Sequence, residues 1–156
     1  MHEVSLGGVI ADYLTGEQLD RTTYEDLRQA LARFLVEERG FVPALLRPRY
    51  AVAYSAGGGQ HERLADIAVF CPSGGLCMLV VFCPGQVHTY TREVTALARL
   101  ALPHPSPLAV VTDMRQAELF AVKDGTILAQ GLAALPDQEE AQRLAAAHAL
   151  PPLSDE

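Results

Sequence analysis

Asp66 stands inside the apolar run Ala65-Asp66-Ile67-Ala68-Val69-Phe70, where a carboxylate is costly to bury without a partner. Two roles fit it: a metal-binding or acid–base carboxylate held on a strand, or an aspartate at the strand's exposed start, bonded to backbone or to Arg63. His61, Glu62 and Asp66 offer metal-ligating atoms but lack a fourth ligand. The cysteines fall at 71, 77 and 83, a spacing unlike the common zinc patterns. Cys71 and Cys77 flank a turn and could be bridged, although a reducing compartment disfavours it. Cys83 is either a nucleophile or a buried, inert thiol. Gly57-Gly58-Gly59 has no Lys-Ser/Thr after it and reads as a turn, not a phosphate loop. Lys123 is the only lysine, so any chemistry that needs an ammonium has one candidate.

The elements that must position these residues follow from periodicity. Thr22 and Glu25 have the capping-box spacing, a role that competes with any site role for Glu25. Leu27, Ala30, Leu31, Phe34 and Leu35 then form one stripe on a helix over 23–39, closed by Gly40. Residues 41–48 hold two prolines and read as a connection. Strands are predicted at 50–54, 65–70 and 77–82, the last two joined by Pro72-Ser73-Gly74-Gly75 as a hairpin. A hairpin symmetric about Phe70 and Met78 puts Asp66 opposite Phe82, with Asp66, Phe82 and Pro84 on one face. A second helix over 89–102 buries Val94, Leu97, Ala98 and Ala101 and ends at Pro103. Strands at 108–112 and 119–122 precede a turn at 123–126, and Asp137 caps a last helix through His148. Residues 4–20 show no clear element beyond a turn at Thr15-Gly16-Glu17. The order α-β-β-β-α-β-β-α predicts an α/β fold: a mixed sheet with helices on its faces.

Composition bounds the rest. A chain of 156 residues with 49% hydrophobic and 20% charged residues suits one cored domain, placed at 1–150, with 151–156 as a frayed tail. The start Met1-His2-Glu3-Val4-Ser5 has neither the basic residues nor the apolar run of a signal peptide, so a soluble, cytoplasmic protein is expected. A net charge of −7 argues against tight nucleic-acid binding, which rests on phosphate neutralisation.

The stretch from about Asp12 to Asp124 resembles the N-terminal nuclease domain of the type I restriction enzyme R subunit, of the PD-(D/E)XK nuclease superfamily. The resemblance is carried by Thr15-Gly16-Glu17, by Glu25-Asp26-Leu27-Arg28-Gln29-Ala30-Leu31 and by Leu35-Val36-Glu37-Glu38-Arg39-Gly40-Phe41. It continues through 63–70, 79–84 and Val110-Val111-Thr112-Asp113. It implies a restriction-endonuclease-like three-layer fold in which Asp66 is the metal-binding aspartate and Glu25 a further site residue. The family's Glu-x-Lys, which holds Mg²⁺ and activates water, is replaced by Phe82-Cys83-Pro84. A glutamine and a tyrosine usual on the second helix are replaced by Ala96 and Leu100, with Arg99 retained. The expectation is a catalytically inactive, degenerate member whose vestigial site is Asp66, Phe82, Pro84 and Glu25, with Asp66 the remaining metal ligand. No cofactor is then expected. A protein partner or a second copy is the expected company, nucleic acid binding being weak or absent, and no membrane. The alternative is a Mg²⁺-dependent DNA endonuclease with a rearranged site.

Overall fold

The computed structural model describes residues 3–84 and 87–151. The apolar runs at 65–70, 76–82 and 108–112 become the middle of a six-stranded sheet. Its strands are β3 (Leu46–Ala56), β4 (Gly59–Phe70), β5 (Leu76–Phe82), β6 (Leu108–Thr112), β7 (Ala117–Ala121) and β8 (Ile127–Gln130), in that order across the sheet. Only β5 and β6 run parallel, because the chain between them crosses over through α2 (Val87–Leu100). The other neighbours are antiparallel. Before the sheet come a hairpin of β1 (Ser5–Ala11) and β2 (Gln18–Thr22) and then α1 (Thr23–Arg33); α3 (Gln138–Ala147) follows it.

Two apolar clusters cover the two faces of the sheet. On one, Leu31, Ala32 and Leu35, with Ala141 and Ala145 of α3, pack on Ile67, Val69, Met78, Val80 and Val110. On the other, Val94, Leu97 and Ala98 of α2 pack on Ala68, Leu79, Val81, Ala109 and Val111. The result is helix, mixed sheet, helices: the expected three-layer α/β arrangement. The central strands β6 and β7 are buried throughout, which explains their lack of polar alternation. Among the described residues no helix is long and apolar enough to cross a membrane.

Several expectations need correction. Residues 5–22 form a hairpin whose β1 side is mostly exposed and carries Gly7 and Gly8 with positive φ, so no buried alternation marks it. The turn at Lys123–Thr126 does lead into a return strand, β8, which the predicted order omits. The helical stripe on α1 is rotated: Ala30 is exposed, while Glu25, Arg28, Gln29, Leu31 and Ala32 are buried. After Arg33 the helix widens into a π-helical turn, Phe34–Glu38, and Gly40 at φ 68° ends it.

The β4–β5 register also differs from the symmetric hairpin. Ile67 pairs with Val80 and Val69 with Met78, but Phe70 pairs with Leu76, so Cys77 is the extra residue of a bulge. Continuing that ladder sets Val81, not Phe82, across from Asp66. Cys71 lies against Gly75, whose carbonyl accepts its N–H, and all three cysteines are free thiols. Of the predicted tail, residues 152–156 lie outside the described residues.

Candidate functional site

Asp66 nevertheless meets Phe82, by a different route. Strand alternation fails at Asp66: Ala65 packs in the α2-side cluster, Ile67 in the α1-side cluster and Ala68 again in the α2-side one. On the neighbouring strand, between the pairs Pro48↔Ile67 and Tyr50↔Ala65, Arg49 adopts φ 50°. The irregularity turns Asp66 toward α1. Its Oδ2 accepts the Phe82 N–H at 2.7 Å, and its Oδ1 accepts from Arg28 Nε (3.1 Å) and Nη2 (2.9 Å). The Phe82 ring, on the same side as Val80, packs edge-on against Tyr24 of α1 at 5.8 Å between centroids. Pro84 lies two residues past Phe82, half-buried, and brings no charged group to the site.

Glu25 is drawn into the same place. Thr22 caps α1 as predicted, its hydroxyl accepting the Glu25 N–H at 3.0 Å. The Glu25 carboxylate, however, turns inward, where it accepts from Arg28, from Gln29 Nε2 at 3.2 Å and from Arg49 Nη1 at 3.1 Å. The capping box is therefore half formed, and the Glu25 carboxylate shares Arg28 with Asp66. Arg49 and Gln29 also hold Asp12, at 3.1 and 2.9 Å, and Asp12 accepts the N–H groups of Leu14 and Thr15 at the β1–β2 turn.

The assembly is one ionic network of Asp12, Glu25 and Asp66 with Arg28 and Arg49, joined by Gln29. The side chains of Glu25 and Arg28 are 7% and 6% exposed, and that of Asp66 14%. Burial works to raise the Asp12 carboxyl, but the hydrogen bonds from Gln29, Thr15 and Arg49 outweigh it and hold it below its ordinary 3.8. Arg28, Gln29, Arg49 and Asp12 are not among the site residues that the sequence suggests. Their one legible sign is the spacing Glu-x-x-Arg-Gln, which places 25, 28 and 29 on one helical face.

Other candidates fall elsewhere. Arg63 does not hold Asp66; it pairs with Glu93 of α2. His61 stacks on Tyr54 instead of joining Asp66. Lys123 follows Ala121, the partner of Leu108, at the far end of β6 from Thr112, and Thr112 is the partner of Phe82. Cys83 is buried on the α2 side, and burial, with Asp113 and Asp66 nearby, pushes its thiol up to about 11. It carries little thiolate at neutral pH.

A divalent cation of the Mg²⁺ type asks for several free oxygens in near-octahedral array. Here both Asp66 oxygens are engaged, and β5 brings a phenyl ring and a backbone N–H instead of a carboxylate. Among the described residues no group of three or more His, Cys, Asp or Glu is arranged to hold a metal ion. The residues present do not fit such a cation.

A family model described as type I restriction enzyme R protein N terminus matches residues 23–136. No curated protein matches the chain. A solved structure from Anabaena variabilis, described as a "putative nuclease belonging to DUF820", is similar at 10% identity over 71% of each chain. Its TM-score is 0.37, too loose a likeness to add to the family match.

Proposed function

The chain belongs to the type I restriction enzyme R protein N-terminal family, and we propose that this nuclease-like domain has given up cleavage and serves as a binding or interaction module. One observation carries the reading: where a second carboxylate would complete a metal site beside Asp66, β5 supplies the Phe82 ring, packed on Tyr24. In metal-dependent hydrolysis of a phosphodiester a cation polarises the phosphate and activates water. Asp66 gives its oxygens to Arg28 and to backbone, and Lys123 sits at the other end of the sheet. A net charge of −7 favours a protein partner or a second copy over nucleic acid.

A second reading, a Mg²⁺-dependent endonuclease with a rearranged site, is favoured by the convergence of Asp12, Glu25 and Asp66 around two arginines. The test is incubation of the purified protein with linear, circular and single-stranded DNA in Mg²⁺ or Mn²⁺. No cleavage is expected. Metal-dependent cleavage that disappears in Asp66→Ala would overturn the inactive reading and establish the second.

A further inference from the structure

The outer side of α2 holds a groove that the network on α1 does not touch. It lies between α2 and the β7–β8 turn and has a volume of about 670 Å³. Arg92, Arg99, Thr91 and Thr95 line it from the helix and Gly125 from the turn, and no carboxylate is among its lining residues. In a chain of net charge −7 that local balance is unusual. The two nearby acids are turned to other partners: Glu93 to Arg63, and Asp124 to the Thr126 N–H at 3.0 Å.

The donors differ in how they are held. Arg99 is anchored by one nitrogen, Nη2, on the Val122 carbonyl at 2.6 Å, which fixes its guanidinium at the groove and leaves its other N–H donors uncommitted among the described residues. Arg92 is exposed and makes no hydrogen bond or ion pair among the described residues. The two arginines are seven residues apart, about 10 Å along a helix axis, and their long side chains can close on one ligand between them. The Thr95 hydroxyl donates to the Thr91 carbonyl, and Thr91 Oγ1 is buried with no partner among the described residues, so the donors that face the groove are those of the arginines. At Gly125, φ is +75° and no atom lies within 4 Å of where a Cβ would be, so the turn leaves open space on that side.

We propose that this groove binds a small phosphate-bearing ligand through the planar guanidinium donors of Arg92 and Arg99. Guanidinium forks match phosphate oxygens geometrically, and charge-assisted bonds of this kind are stronger than neutral ones. The inference does not depend on whether the domain cleaves DNA.

The experiment is thermal unfolding of the full chain with inorganic phosphate, pyrophosphate or a nucleoside monophosphate, against chloride at matched ionic strength. With millimolar ligand at ten to a hundred times its Kd, the melting temperature should rise by about 3–10 °C. Arg92→Gln, at an exposed position, should keep the parent's stability in chloride and lose most of that rise; Arg92→Gln with Arg99→Gln should lose all of it. The response should differ between the free phosphate and the nucleotide if the ligand carries an organic group. A rise no larger than in chloride would overturn the proposal, as would a rise that survives both substitutions. Binding of a DNA oligonucleotide through the same arginines without any response to the small phosphates would overturn it too, since the occupant would then be a polymer.

Discussion

Removing Arg28 should expose how much of the fold rests on the ionic network. In Arg28→Met the aliphatic stem is kept and the charge is lost. Glu25 still has Arg49 and Gln29, but among the described residues Asp66 keeps only the Phe82 N–H. Breaking a buried pair on one side costs about 3–5 kcal/mol. Because Asp66 retains one donor and is 14% exposed, the loss should fall at about 2–4 kcal/mol. Total stability of a domain this size is about 5–15 kcal/mol, so the effect is a large share of it. The measurement is equilibrium urea unfolding at pH 7 with an unchanged m-value, and a fall in melting temperature of about 4–16 °C is its thermal counterpart. A second arm gives the cause. In the Arg28→Met background, Asp66→Asn removes the orphaned charge and should recover about 1–3 kcal/mol. A loss below about 1 kcal/mol, or no recovery, would mean the charges are solvated and behave as surface pairs.

The remaining expectations concern protons and thiols. Asp12 is held below 3.8 in the folded state, so its contribution to stability is complete above that value and is lost as pH falls through the lower, folded pKa. Wild type should therefore exceed Asp12→Asn in stability at neutral pH, the gap closing as urea midpoints are followed toward about pH 2; a gap constant across that range would refute the link. Cys77 and Cys83 are buried and their thiols are pushed up by desolvation, while Cys71 is part-exposed. A thiol reagent at neutral pH should label one cysteine, Cys71, quickly and the other two only on unfolding; rapid labelling of Cys83 would restore it as a candidate nucleophile.

The layers of this fold are written in its periodicity, and the details of its site are not. Continuous apolar runs at 77–82 and 108–112 become fully covered strands because nothing but burial on both faces accounts for them. The stripe of α2 is likewise legible, since Val94, Leu97 and Ala98 repeat at helical spacing and are buried, as is Ala101 just past the helix end. The α1 stripe was misread because Glu25, Arg28 and Gln29 look like solvent-facing residues. They are buried because they satisfy one another, a condition that depends on Arg49 and Asp12 arriving from distant segments. The β1–β2 hairpin leaves little trace because it buries little.

Asp66 shows why motif and meaning separate. Its place in the chain is readable: a lone carboxylate in an apolar strand needs a partner. Which partner is decided by a bulge at Cys77 and by the left-handed backbone of Arg49, and neither has a residue-type signal of its own. With regular pairing the carboxylate would lie on the α2 side among the apolar Ala68 and Val81. The irregular pairing delivers it to Arg28, which already faces Glu25. Phe82 can then stand beside a buried aspartate, since the strand's own N–H and a guanidinium satisfy the charge that the ring cannot. With a ring and not a carboxylate at that position, no like charge from β5 stands next to Asp66, and the demand for an exchangeable cation is lower. On the proposed inactive reading, a ring in that place leaves the ionic network self-sufficient, so that the fold does not depend on a bound cation.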